Sequence, residues 1–213
     1  MAEPVIYGPA FSTYTRSVRL ALEEKGAAYR LEEVNILEDA HKTPEHLARH
    51  PFAKVPAFEH DGFALYETVA IMRYVDEAFD GPSLQPDDAR DRARMTQVHS
   101  IMNAYAYSAC ISACVIQRLV VPLMGGTPDE AVVAEALPQA KTSLEALEAL
   151  IDGSAYLAGA VLSLADLHVV PIYDYFSQTP EGEKLLPGTP NLQRWWAGIS
   201  QRDSVQKTKP SLG

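Results

Sequence analysis

Cysteine is nearly absent from this 213-residue chain, in which Cys110 and Cys114 are the only two. They stand four apart in AYAYSACISACVIQRLVV, where helical spacing puts both on one side of a buried helix. The pair therefore reads as small apolar filler rather than a metal or redox site, and no metal is expected. Basic charge is also in short supply. Lys and Arg number 18 against 28 Asp and Glu, a net charge of −10. That balance argues against nucleic acid or an anionic membrane as the partner, because either needs a Lys/Arg-rich face; a local basic pocket is still allowed. No run approaches the roughly 18 consecutive apolar residues of a membrane span, and MAEPVIYG lacks the charged and apolar regions of a signal peptide, so a cytoplasmic protein is expected. Internal repeats and low-complexity tracts are lacking too.

What is present is ordinary for a soluble globular protein: 47% hydrophobic and 22% charged residues. The length allows one or two domains, and the pattern divides into two. Residues 5–7 read as a strand and 15–25 as a helix, with Val18, Leu20, Ala21 and Leu22 on its buried side and Gly26 as its stop. Residues 29–34 alternate as a second strand, parallel to the first through a right-handed crossover. After a polar loop, 55–59 and 63–65 form a hairpin about His60-Asp61-Gly62, and 67–79 an amphipathic helix. DGPSLQPDDARD has no apolar period and suits a linker. Helices follow at 89–120, 128–151 with a break at Pro138, 164–178 and 191–200. The expected fold class is α/β plus all-α, with domains at 1–80 and 90–213 and a linker at 81–89. Ser163 to Asp166 fit a capping box opening the third of those helices, so Asp166 reads as structural.

Ser12, Thr13, Tyr14, Thr15 and Ser17 crowd the turn between the first strand and its helix, where a single cap would suffice; Thr15 is the expected cap. Ligands of open α/β sheets bind beyond the carboxyl ends of strands, where helix N-termini present N–H groups. A second stretch, HPFAKVPAFEHDGFALYETVAIMRYVDE, reinforces the first. A cis Val55–Pro56 bond would turn the Val55 backbone outward to pair with a peptide-like ligand. At Glu67-Thr68 a hydroxyl and helix N–H groups suit a carboxylate, and the Glu side chain suits an amine, as in an amino-acid head group. His41, Lys42 and Lys54 supply cations for a second carboxylate. A tripeptide with its reactive middle near Ser12 satisfies all of these, and glutathione has that form.

These stretches, with YLAGAVLSLADL at Tyr156 to Leu167, make nearly the whole chain resemble the glutathione transferases, especially the serine-type phi class and its bacterial relatives. The resemblance implies a thioredoxin-like N-terminal domain, an all-helical C-terminal domain, a cleft between them and a homodimer. It implies Ser12 as the catalytic hydroxyl, His41 and Lys42 on the glycine carboxylate, Val55 before cis-Pro56 on the cysteinyl backbone, and Glu67-Thr68 on the γ-glutamyl end. Lys54 stands where Gln is common, Thr68 for Ser, His50 for Asn, Ala53 for Gly, and Ala160 for an acidic residue.

The implied activity is conjugation of glutathione to small apolar electrophiles, a detoxifying reaction, with glutathione-dependent peroxidase action beside it. The alternative is a non-catalytic carrier of the same fold. A thiol of pKa near 8.5 is only a few per cent thiolate at pH 7. A serine hydrogen bond to the anion, at about 1.5 to 3 kcal/mol, lowers that pKa by roughly one to two units. Tyr7, inside a strand, reads as packing. The electrophile is expected to meet Phe11, Thr13, Ile36, Met102 and Tyr105.

Overall fold

The computed structural model describes residues 2–210. The chain forms two compact units: the chain up to Leu84 together with the segment from Arg202 onward, and Gln85–Gln201.

In the first unit β1 (Val5–Tyr7), α1 (Thr13–Lys25) and β2 (Arg30–Glu32) form the predicted strand, helix, strand motif, with β1 and β2 parallel. The sequence reading leaves a polar loop before the hairpin; the structure places a short helix there, α2 (Pro44–Arg49). Thr43 caps it by accepting the His46 N–H, and Pro44 sits where its missing N–H costs nothing. β3 (Ala57–His60) runs antiparallel to β1 and turns into β4 (Phe63–Tyr66), giving the order β2-β1-β3-β4. Asp61 and Gly62 at the turn both have positive φ, 49° and 79°, as a two-residue hairpin loop requires. α3 (Thr68–Ala78) packs against α1. Ile6, Val18, Leu20, Leu22, Phe58, Ile71, Met72 and Val75 are fully buried in this unit, and each such side chain contributes about 1.5 to 3 kcal/mol.

Lys25 and Asp76 form a buried ion pair at 3.1 Å. Lys25 also donates to the carbonyls of Asp76 and Pro82, and Asp76 accepts the Leu84 N–H at 2.8 Å. The chain leaving the unit is thereby tied to the end of α1. The segment from Arg202 differs from expectation, because it groups with this unit rather than with the helical one. Arg202 makes a bidentate pair with Glu24 and Ser204 donates to the same carboxylate. Burial alone would raise the Glu24 pKa; these bonds outweigh it and the net shift is downward. Arg16, itself buried, donates to the Val205 carbonyl and to Thr208.

The second unit begins with a single rod, α4 (Ala89–Leu123), whose stretch Met102–Val120 has the wider π-type turns; Val121 N–H reaches back to Ile116 O. Such long π runs are rare, and periodicity gives no hint of this one. Wider turns keep residues four apart nearly in line, and Met102, Ala106, Cys110 and Cys114 form a buried row. Burial pushes the Cys110 thiol up to about 12 and Cys114 up to about 11. Both are inert at neutral pH, as filler should be. By length and composition the rod is apolar enough to cross a membrane; here it packs against α5 (Glu130–Ile151) and α6 (Leu164–Phe176).

The expected break at Pro138 is not there: α5 runs unbroken through it. An interior proline costs about 3 kcal/mol. Val133, Leu144, Leu147 and Ile151 are buried along the same helix and at about 1.5 to 3 kcal/mol apiece outweigh that cost. α7 (Pro180–Leu185) and α8 (Pro190–Ile199) complete the unit. Arg118 on the rod bonds both Glu130 and Glu181, joining α4 to α5 and α7.

Every residue of α6 is buried. His168 and His99 meet there through their Nδ1 atoms at 2.9 Å, and burial pushes His99 down to about 4 and His168 well below its usual range. Asp166 is fully buried and accepts four hydrogen bonds: Leu157 N–H (2.8 Å) and Trp195 Nε1–H (2.9 Å) on Oδ1, Ser163 N–H (2.9 Å) and Oγ–H (2.8 Å) on Oδ2. It is the capping box read from the sequence, extended by two partners that the sequence does not reveal. Asp166→Asn keeps the shape but turns a donor toward two donors. Hydrogen bonds to a charged group contribute about 1.5 to 3 kcal/mol each, so the variant should lose at least ~3 kcal/mol in urea unfolding. A loss under ~1 kcal/mol would show that the carboxylate does not anchor the unit.

Candidate active site

The register of the sheet decides which loops meet. Tyr7 pairs with Glu32 on one side and Ala57 on the other, and Ala57 pairs with Tyr66. The chain therefore leaves β1 at Gly8, enters β3 from Pro56 and leaves β4 at Glu67, all at one end of the sheet. Gly8 N–H donates to Glu32 O, and Ala10 N–H to the Glu33 carboxylate. A Cβ on Gly8 would lie 2.4 Å from Thr15 Oγ1 and 3.3 Å from Val55 Cβ. Glycine alone allows the end of β1, the first turn of α1 and the loop before β3 to approach so closely.

The N-cap of α1 is Ser12, not Thr15. Its backbone is extended (φ −65°, ψ 129°) and its Oγ accepts the Thr15 N–H at 3.4 Å. Thr15, expected to cap, is wholly buried, its hydroxyl without a partner among the described residues. The difference matters chemically. A capping hydroxyl uses a lone pair, so the Ser12 proton remains available to a ligand at the positive end of the helix.

The Val55–Pro56 bond is cis, as expected from the sequence. Neither the N–H nor the C=O of Val55 has a hydrogen-bond partner among the described residues. Glu67 occupies the N-cap position of α3 at φ 74°, ψ 112°, and its side chain makes no capping bond. A non-glycine residue there costs on the order of 1–3 kcal/mol, and the carboxylate is left exposed beside Thr68, which is 7% exposed.

The cationic loop lies in the same electrostatic neighbourhood. Burial lowers the His41 pKa, and Asp39, Lys42, His46 and Lys54 all act on that imidazole. Burial likewise lowers His50, against the field of Glu67, with His46 and Lys54 acting beside it. Lys42 is exposed and paired with Asp39 at 2.8 Å. Tyr7 is committed elsewhere. Its hydroxyl donates to Glu59 at 2.9 Å and Arg49 lies 4.2 Å over its ring. Burial first, and the Glu59 carboxylate second, raise its pKa, so the hydroxyl keeps its proton and spends it on Glu59.

Of the five residues expected around an electrophile, Thr13 and Met102 are buried, at 5% and 2% exposure. Phe11 and Ile36 are half-buried, and Tyr105 is exposed. The sequence pattern does not single out His46, although Thr43-Pro44-Glu45 before it is a legible helix start.

Two family models match the chain: Glutathione S-transferase, N-terminal domain, over residues 5–77, and Glutathione S-transferase, C-terminal domain, over residues 107–203. Glutathione S-transferase 1 of Zea mays is 37% identical, the match covering 99% of this chain and 100% of that protein. Glutathione transferase F7 from Populus trichocarpa superposes with a TM-score of 0.86 at 31% identity, covering 96% and 97% of the two chains. A glutathione S-transferase-I bound with lactoylglutathione superposes at 0.85 and 35% identity, covering 97% and 98%. The mixed four-stranded sheet of the first unit is the thioredoxin-like domain of that architecture, and the helical unit is its second domain. With both domains matched in order and full-length relatives above 30% identity, the chain belongs to the glutathione S-transferase family of enzymes.

Proposed function

We propose that this transferase stabilises the glutathione thiolate with the Ser12 hydroxyl and conjugates it to small apolar electrophiles. The observation that carries the reading is the Ser12 cap: its oxygen accepts from Thr15, which leaves its hydrogen to donate. In this reading the γ-glutamyl ammonium meets Glu67 and its carboxylate meets Thr68 and the first N–H groups of α3. The cysteinyl backbone pairs with Val55. The glycine carboxylate meets His41, Lys42 and Lys54. The sulfur, held at the start of α1, gains about 1.5 to 3 kcal/mol from Ser12 and a further 0.3 to 1 kcal/mol from the helix dipole. Together these bring a thiol of pKa near 8.5 to about neutrality or below. Its proton passes to solvent, the anion attacks the electrophilic carbon, and the new C–S bond forms as a leaving group departs or a conjugated double bond takes the electron pair. A hydroperoxide offers an electrophilic oxygen to the same anion, so peroxidase action draws on the same step.

Ser12→Ala should bind glutathione much as before while the bound thiol's pKa rises by about one to two units. At pH 7, turnover of a chemistry-limited electrophile should fall roughly ten- to a hundredfold, with part of the loss recovered as pH rises. Assaying a panel of electrophiles and organic hydroperoxides against wild type and variant checks this. An unchanged rate and pH profile would remove Ser12 from the role.

Lys42 gives two effects of opposite sign. Since Asp39 already holds its ammonium at the surface, Lys42→Ala should weaken glutathione only about two- to fivefold, the range of an exposed ion pair. Asp39→Asn, which the positive φ at that position tolerates, should tighten it. Calorimetric titration decides; the same sign for both variants would place the carboxylate elsewhere.

The reading includes a homodimer. Phe52 (67% exposed), Phe63 (48%) and Tyr66 (37%) leave aromatic surface on the first unit, of the kind that oligomers cover. Sedimentation at micromolar concentration should give about twice the chain mass, and a monomer alone contradicts it.

A further inference from the structure

α2 carries a residue whose geometry bears on the Val55 backbone. His46 is 3% exposed, and its Nε2 lies 2.8 Å from the Lys54 carbonyl oxygen. A carbonyl only accepts, so the ring must carry its proton on Nε2 and donate. Nδ1 is buried with no partner among the described residues. The other end of the helix is fastened to the sheet: Arg49 stands over the Tyr7 ring and its Nε lies 3.4 Å from Glu59. α2 thus spans from the sheet to one carbonyl in the loop before β3.

That carbonyl shares its peptide plane with the Val55 N–H. In a planar trans peptide the C=O and N–H point in opposite directions, and the cis bond of this loop is the next one, Val55–Pro56. Holding the Lys54 oxygen toward His46 therefore holds the Val55 N–H away from it, and donation to the oxygen polarises the amide and makes that N–H a better donor. We propose that His46 is a positioning residue of the glutathione site, orienting the Lys54–Val55 peptide so that the Val55 N–H meets the ligand backbone. This rests on the function proposed above.

The test titrates glutathione into the full chain and measures steady-state kinetics for wild type, His46→Leu, His46→Gln and His46→Asn. Leu removes the donor. Gln carries an amide N–H with about the reach of Nε2, and Asn falls short of the carbonyl. His46→Leu and His46→Asn should weaken glutathione about tenfold, as expected for losing one well-placed hydrogen bond. The loss should appear in KM for glutathione and not in kcat at saturation, with Gln recovering most of it. A folded His46→Leu protein with wild-type affinity overturns the proposal, as does equal weakening in all three variants, which a packing role alone would produce. If the Leu variant does not fold, Gln against Asn decides in the same way. Wild type failing to bind glutathione would sink the functional reading itself, and this proposal with it; wild type binding while the variants match it sinks only the role of His46.

Discussion

The pairing of Tyr7 with Ala57, and of Ala57 with Tyr66, is the constraint on which the site depends. It makes three separate chain segments leave or enter the sheet at one end. A slip of one residue would send every side chain of a strand to the opposite face, burying Tyr7 in place of Ile6 and separating Val55 from Glu67. The register is protected by the core on one face and by the Tyr7, Glu59 and Arg49 cluster on the other. Gly8 then lets the first turn of α1 close onto that end.

Within this frame the chemistry asks little of any single group. A capping serine is an ordinary device for starting a helix, and its oxygen is used as such. In the proposed function the hydrogen it retains and the partial positive charge of the helix end supply energies of the size needed to bring a thiol pKa to about neutrality, since one pKa unit corresponds to about 1.4 kcal/mol. In the proposed function tyrosine is the natural competitor for this role, and Tyr7 is engaged elsewhere. Tyr7 donates to a carboxylate, is stacked under a guanidinium and has its pKa raised.

Backbone conformation at the candidate site is unusual in two places. Glu67 holds a positive φ without being glycine, and Val55 leaves two backbone groups unpaired among the described residues. Each is unfavourable in isolation, and in the proposed function each occurs where the peptide ligand supplies the compensating hydrogen bonds. The helical unit is built on the opposite principle: Asp166 satisfies four donors, the cysteines are kept protonated, and polar groups are there to hold the packing.

The sequence by itself determined the strand, helix, strand opening, the hairpin at Asp61-Gly62, the stop at Gly26 and the capping box at Ser163 to Asp166, because local sterics and short-range hydrogen bonding enforce these. It also offered Val55, Glu67 and Thr68 as contacts for a peptide-like ligand, from a Val-Pro pair opening a strand and a carboxylate and hydroxyl opening a helix. Tertiary structure decided the rest. Pro138 stays within a helix because distant packing outweighs a local cost, and periodicity cannot see distant packing. Thr13 and Met102 face inward, Tyr7 finds Glu59 across the sheet, and the segment from Arg202 returns to α1. His46 reaches a carbonyl eight residues away. All of these depend on which chain segments the folded register brings together, and a linear pattern carries no record of that.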